Sequence, residues 1–236
     1  MEKNAIVSRD EWLAARKTLL EQEKAFSRAR DELSAARRAL PWVRVEEDYR
    51  FDTLRGTESL ADLFDGCTQL LVYHFMFGPD WQEGCPSCSF WADNYQGTLP
   101  HLRARDINLV AVSRAPLAKL QSYRDRMGWT FDWVSSAPSR FSFDFAVSFE
   151  PEDDPATAPN YNFATQSFNG DEAPGISVFV RDKTGEVYHT YSCYSRGLDM
   201  LNGAYHHLDL VPKGRDEADL PWPMAWVKRH DRYAID

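Results

Sequence analysis

Apolar residues recur every seven positions along the first forty residues, in a segment that is otherwise rich in charge. Ser8 and Glu11 have the spacing of a capping box, and Pro41 ends the pattern, so the sequence predicts one long helix over 8–40. Its stripe could pack on the body of the same chain or on the same helix of a second subunit, which makes a homodimer one expectation. The stripe consists of Trp12, Leu19, Phe26, Leu33 and Leu40.

The pattern then changes to short, continuous apolar runs separated by amphipathic segments. The runs at 69–77 and 107–112 predict buried strands, and 130–134 predicts a short aromatic strand. The intervening segments predict a helix from Pro86 to about Arg105 and another from Pro116 to Met127. This β-α-β-α-β order predicts parallel strands joined by crossover helices.

The second half of the chain predicts an antiparallel hairpin after a polar interruption. Proline, aspartate and asparagine concentrate at 150–173, which is expected to be a surface insertion. Strands at 176–180 and 186–191 flank a turn at 182–185, and a closing helix is expected over 198–208. Two small elements precede the first buried strand, a strand at 49–53 and a short helix at 59–64.

A pair of cysteines lies between the first buried strand and the helix that follows it, as Cys85-Pro86-Ser87-Cys88. A strand–loop–CxxC–helix unit is how thioredoxin-type redox proteins present a reactive thiol. Unpaired N–H groups at a helix start favour an anion and lower the pKa of a cysteine thiol. We therefore expect Cys85 to attack a disulfide and Cys88 to resolve the mixed disulfide.

Three residues are candidates for binding the substrate. Pro174 precedes the strand at 176, where thioredoxin-type folds place a cis-proline that presents backbone to a bound peptide strand, and a cis bond is expected here too. Trp81, in the loop before the pair, could shape access to it. Pro86 fits the first turn of the helix because that position needs no N–H group.

Other interpretations of these residues remain open. A CxxC pair is also half of a zinc site, which Cys67, Cys193, His74 or His189 could complete. Against this, Cys67 and Cys193 are isolated, and the adjacent His206 and His207 are expected to point in different directions on a helix. The pair could also be inert. His74 is expected to be a hydrogen-bonded core histidine, and Arg114 either stabilises a thiolate or forms a surface ion pair.

Composition narrows the classes of function. The 236 residues carry a formal net charge of −9, which disfavours a broad nucleic-acid surface. The first residues lack the apolar stretch of a signal peptide, and no segment has the length of a membrane span. We therefore expect a cytoplasmic protein, where thiols are kept reduced. Four cysteines are too few for a disulfide framework in a chain of this length.

Several motifs resemble those of the thioredoxin-like family catalogued as domain of unknown function 899, sometimes labelled predicted dithiol-disulfide oxidoreductases. The resemblance covers nearly the whole chain and is carried by the segments 11–16, 37–42, 73–79, 84–89, 126–129, 174–179, 189–192, 196–200, 224–227 and 230–233. It implies an α/β fold of thioredoxin type, with a mixed central sheet flanked by helices, and an added N-terminal helix. The expected division is a helical extension at 1–41, a thioredoxin-like domain at 42–211 and a tail at 212–236 packed on that domain.

The leading functional hypothesis is a dithiol-disulfide oxidoreductase acting on protein or small-molecule disulfides. It would need an external electron donor and no bound cofactor. One alternative is a thiol peroxidase using Cys85, because Pro79 and Cys85-Pro86 echo the peroxiredoxin pattern, although no Thr or Ser lies between them. The other is a non-catalytic binding module.

Overall fold

The computed structural model describes residues 4–150, 161–163 and 170–234. Two compact units are present, Met1–Pro41 and Trp42–Asp236. In the first, helix α1 spans Arg9–Arg38 and begins at the predicted capping box, in which the Ser8 hydroxyl and the Glu11 carboxylate satisfy each other's backbone N–H groups. None of the side chains of α1 is buried.

The second unit is built on one mixed sheet of eight strands. Their order across the sheet is β1-β8-β7-β4-β5-β6-β2-β3. The strands are β1 Val43–Arg44, β2 Arg50–Thr53, β3 Gly56–Ser59, β4 Gln69–His74, β5 Ile107–Ser113, β6 Asp132–Ser135, β7 Gly175–Arg181 and β8 Val187–Tyr194.

The centre of the sheet has the predicted topology. Strands β4, β5 and β6 are parallel, as the crossover helices require, whereas β7 runs antiparallel to β4 and pairs with β8 as a hairpin. This mixed sheet, with a CxxC helix following its central strand β4, confirms the thioredoxin-like α/β fold.

The first crossover helix is shorter than predicted, whereas the second, predicted from Pro116 to Met127, has those residues as its caps. The helices of this unit are α2 Pro86–Ala92, α3 Leu99–Arg103, α4 Leu117–Arg126, α5 Phe141–Asp144 and α6 Gly203–Leu208. The single helix predicted from Pro86 to Arg105 is wrong, because the chain ends α2 at Ala92 and tightens into a 3-10 turn before α3. Pro100 has no N–H to continue the helical ladder, and the Asn94 side chain donates to the Phe90 carbonyl oxygen (2.7 Å).

The predicted closing helix is also interrupted. Residues Ser195–Leu201 form a 3-10 helix, and α6 begins afterwards because Asn202 is extended and caps it. The Asn202 side chain accepts a hydrogen bond from the Tyr205 N–H (3.0 Å). The polar insertion predicted at 150–173 lies largely outside the described residues.

The two faces of the sheet carry separate apolar cores. Side chains alternate along β4, so Tyr73 enters the core that contains Cys88, while Val72 enters the core that contains Phe141. Met224 and Trp226, from the C-terminal segment, pack against the core of Cys88. Within the described part of the chain, we found no helix with both the length and the apolar character needed to cross a bilayer.

Candidate redox site

The loop between β4 and α2 is held in place at several backbone atoms. The Cys85 N–H donates to the Met76 carbonyl oxygen (3.1 Å). The Lys119 ammonium donates to the carbonyl oxygens of Pro79 (2.8 Å) and Trp81 (2.9 Å). These contacts fix Cys85 at the N-cap of α2, with Pro86 in the first turn as predicted.

The residue before Cys85 must be glycine for steric reasons. A Cβ atom on Gly84 would lie 2.7 Å from Cε1 of Phe75 and 3.1 Å from Cε1 of Tyr123. Both rings are buried in the core. Gly84 therefore allows the loop to pass directly over two aromatic rings.

We expect Gly84→Ala to destabilise the fold by about 1–3 kcal/mol, the usual cost of overpacking a core. The free energy of unfolding from denaturant titration measures this. Gly97→Ala is the matched control, since its Cβ would meet no atom within 4 Å. Equal stability of the two variants would contradict the steric role of Gly84.

The two thiols of the pair have opposite electrostatic environments. A hydrogen bond from the Cys88 thiol is the largest cause that lowers the pKa of Cys85, to about 7, and the N–H groups of Cys88 and Ser87 add to it against the effect of burial. Burial raises the pKa of Cys88 well above its ordinary value. Cys88 is 2% exposed, whereas Cys85 is partly exposed. The pair thus combines a partly exposed cysteine of lowered pKa with a buried cysteine of raised pKa.

A cavity of about 300 Å³ adjoins the pair. It contains Cys85, Cys88 and Pro174 together, as expected of a shared site, whereas Trp81 and Pro86 are not among its lining residues. The wall is largely apolar and aromatic, formed by Tyr73, Met76, Trp91, Tyr161, Leu198 and Met224. Polar groups come from Ser87, Ser195, Arg196 and Asp199.

The expected cis bond before Pro174 is wrong, because the described residues contain no cis peptide. Trans is the lower-energy form even for X-Pro bonds. The backbone here is engaged by the chain itself. The Tyr161 hydroxyl donates to the Pro174 carbonyl oxygen (2.9 Å), and the Ala173 N–H donates to the Val147 carbonyl oxygen (2.8 Å).

His74 is a buried core histidine. Its ring stacks on Phe141 and Phe145, and its Nε2 is hydrogen-bonded to the Ser177 hydroxyl (2.8 Å). Burial lowers the pKa of His74 to about 3, so the ring is neutral at physiological pH. It is not among the residues that line the cavity of the cysteines.

The remaining polar candidates also have structural partners. Arg114 forms an ion pair with the buried Glu172 (3.3 Å). In the described ranges, no group of three or more His, Cys, Asp or Glu side chains is arranged to hold a metal ion.

A cluster of charges ties the C-terminal segment to the loop before Cys85. The Glu83 carboxylate pairs with Arg126 (2.6 Å), with Arg229 (3.0 Å) and with Arg232 (2.5 Å). The hydrogen bond from Arg126 is the largest cause that lowers the pKa of Glu83. Arg229 also donates to the Gly84 carbonyl oxygen (2.6 Å). The C-terminal segment therefore helps to position the residue that precedes the thiol.

Sequence reasoning missed three residues at or beside the site, Tyr161, Met224 and Arg229. They are more than 70 positions from Cys85 in the chain, and no local pattern marks them. The only available signal concerned Met224, which lies in the segment at 224–227 that resembles a family motif.

A family model described as "Bacterial protein of unknown function (DUF899)" matches residues 1–233. The chain belongs to the DUF899 family. This confirms the resemblance drawn from the motifs. No curated protein matches the DUF899 chain.

Solved structures similar to the DUF899 chain include a mutant of peroxiredoxin Q from Xanthomonas campestris. It has 11% identity and a TM-score of 0.48, and the match covers 71% of this chain and 98% of that one. Another is the peroxidoxin BcpB of Mycobacterium tuberculosis, with 13% identity and a TM-score of 0.46, covering 70% of this chain and 94% of that one. The similarity is weak by both measures.

Proposed function

We propose that the DUF899 chain is a dithiol-disulfide oxidoreductase that uses Cys85 and Cys88. The observation that carries this proposal is the contrast between the two hydrogen-bonded thiols. The partly exposed thiol has a lowered pKa and the buried thiol a raised one, and both line one cavity. An attacking thiol with a pKa near the ambient pH combines ionisation with nucleophilicity.

The reaction proceeds through a mixed disulfide. The Cys85 thiolate attacks one sulfur of a disulfide, the S–S bond breaks, and the first product leaves as a thiolate that takes up a proton. Cys88 then loses its proton and attacks the sulfur of Cys85, which releases the second product thiol. Two electrons have passed to the substrate, and the protein holds a Cys85–Cys88 disulfide.

An external dithiol must then reduce the protein again, and these steps call for no bound cofactor. A cytoplasmic location fits this direction, because the compartment keeps thiols reduced. In an oxidising compartment the same pair would instead deliver a disulfide to other thiols.

Thiol peroxidase activity is the second candidate, favoured by the Ser87 hydroxyl beside Cys85. This hydroxyl is hydrogen-bonded to the Cys85 sulfur and helps to lower its pKa, so it could also contact a peroxide oxygen. Cys85 would take one oxygen from ROOH to form a sulfenic acid and release ROH, and Cys88 would then form the disulfide and release water.

The lowered pKa of Cys85, about 7, predicts that the rate of Cys85 alkylation rises with pH around a midpoint near 7, below that of a free thiol. Iodoacetamide labelling of Cys85, followed by mass spectrometry, measures this midpoint.

Reduced protein should also convert a disulfide to thiols faster than it reacts with an equal concentration of hydrogen peroxide. Faster peroxide consumption would favour the peroxidase. A midpoint at or above 8.5 with neither reaction would leave a binding module.

A further inference from the structure

Two of the backbone groups that a peptide substrate could use are already hydrogen-bonded within the chain. Thioredoxin-type folds bind a peptide strand along the backbone around the proline that precedes the strand corresponding to β7. Here the carbonyl oxygen of Pro174 accepts from Tyr161, and the N–H of Ala173 donates to Val147. The Tyr161 hydroxyl also accepts from the Ser195 N–H (2.9 Å). Tyr161 therefore joins two walls of the cavity at the place where a peptide would pair.

The space that remains beside the thiols suits a small apolar group. Its volume of about 300 Å³ is at the lower end of the range for small-molecule sites. The polar atoms of Tyr73 and Trp91 are already hydrogen-bonded to the backbone. The Tyr73 hydroxyl donates to the Cys88 carbonyl oxygen (3.1 Å), and the Trp91 indole N–H donates to that of Leu198 (2.8 Å). Their rings therefore offer apolar surface to a ligand.

Met224 forms part of this wall in a strained conformation. Its φ angle is +71°, which is costly for a residue with a side chain. The Glu217 carboxylate holds the turn by accepting from the Met224 N–H (3.1 Å) and from the Trp226 indole N–H (2.7 Å). The C-terminal segment thus places an apolar side chain at the cavity of the cysteines.

We propose that the substrate is a small-molecule disulfide with an apolar arm, not a protein disulfide, and that Met224 helps to determine this specificity. This inference rests on the proposed oxidoreductase function. The apolar half, RS, enters the cavity and its sulfur receives the Cys85 thiolate. The other half leaves as R'SH, and attack by Cys88 releases RSH and leaves the Cys85–Cys88 disulfide.

The test is a single-turnover reaction of reduced protein, freed of reductant, with three disulfides. The probes are dipropyl disulfide, the more polar disulfide of mercaptoethanol, and insulin. Each rate constant is divided by that of dithiothreitol with the same disulfide, which removes differences in intrinsic reactivity. We expect the normalised rate for dipropyl disulfide to exceed the other two by roughly tenfold or more, as apolar contacts in a pocket allow.

Two variants test whether Met224 determines the preference for an apolar disulfide. Met224→Gly keeps the backbone conformation and removes the apolar wall, so the preference for dipropyl disulfide over mercaptoethanol disulfide should fall severalfold. Asp216→Gly is the matched control, because Asp216 also has a positive φ (+51°) and is not among the residues that line the cavity. The control should keep the wild-type preference, and thermal unfolding verifies that both variants fold.

The outcomes separate the two proposals. Wild-type protein that reduces insulin as fast as dipropyl disulfide would overturn the substrate class and leave the oxidoreductase function standing. An equal preference in Met224→Gly and Asp216→Gly would overturn the role of Met224. Failure to reduce any of the three disulfides would instead contradict the oxidoreductase function itself.

Discussion

Replacing Cys85 by serine should reduce disulfide cleavage at pH 7 by at least about fiftyfold, because the remaining thiol is almost entirely protonated. With a pKa of about 7, half of the Cys85 thiol is ionised at that pH. Burial holds the pKa of Cys88 well above its ordinary value, so this thiol is protonated at pH 7. Cys88 is also buried, which limits its access to a substrate. Release of thiol from a chromogenic disulfide measures the loss.

Replacing Cys88 should stop the reaction one step later. Cys88→Ser keeps a hydrogen-bond donor beside Cys85, so attack proceeds, one equivalent of thiol is released and the mixed disulfide accumulates. Cys88→Ala removes that donor, which is the largest cause of the lowered pKa of Cys85. The alkylation midpoint of Cys85 should therefore be higher in the alanine variant than in the serine variant. Intact mass spectrometry detects the trapped adduct.

Cys67→Ser is the control for both replacements. Cys67 is a buried thiol that is not among the residues lining the cavity, so its loss should leave two equivalents of thiol released per protein. Release of two equivalents by Cys88→Ser, with no other thiol added, would show that Cys88 is not the resolving residue.

The parts of the fold that were predictable are those dictated by local pattern. The heptad stripe and capping box of α1 are contained in consecutive residues, as are the apolar runs of β4 and β5. The CxxC pair was informative because it stands between a strand and a helix, and that placement alone predicts its position at an N-cap. These features depend on sequence periods and caps that act over a few residues.

The parts that were not predictable depend on contacts between distant segments. The predicted helix is interrupted because the Asn94 side chain donates to a backbone carbonyl oxygen and Pro100 has no N–H to donate. Helical periodicity does not reveal either effect. Tyr161 and Met224 reach the cavity only because separate segments of the chain contact Pro174 and the core of Cys88. The cis bond at Pro174 was expected by analogy with better-known folds, and here Tyr161 contacts that backbone instead.

His74 should make the protein lose stability in acid. Its ring is neutral and 2% exposed, stacked against Phe141 and Phe145 and hydrogen-bonded to Ser177. Burial lowers its pKa in the folded protein to about 3, whereas an unfolded histidine has a pKa near 6.5. The unfolded chain therefore binds a proton at this site first as the pH falls. The stability that neutral His74 provides is complete above pH 6.5 and is lost progressively towards pH 3.

Comparison with His74→Phe isolates this effect from the other titrating groups. Burial raises the pKa of Glu172 to about 7, so between pH 7 and 4.5 its contribution to stability changes with pH in the opposite direction to that of His74. Burial also lowers the pKa of His189, whose ring is connected to that of His74 by hydrogen bonds through Ser192 and Ser177. Both groups are present in the variant, so they largely cancel in the difference. Between pH 7 and pH 4 the difference in unfolding free energy should shift by about 3 kcal/mol in favour of His74→Phe. Urea titrations at several pH values measure this difference, with His101→Phe as an exposed control. A difference that stays constant with pH would show that the pKa of His74 is the same in the folded and unfolded protein.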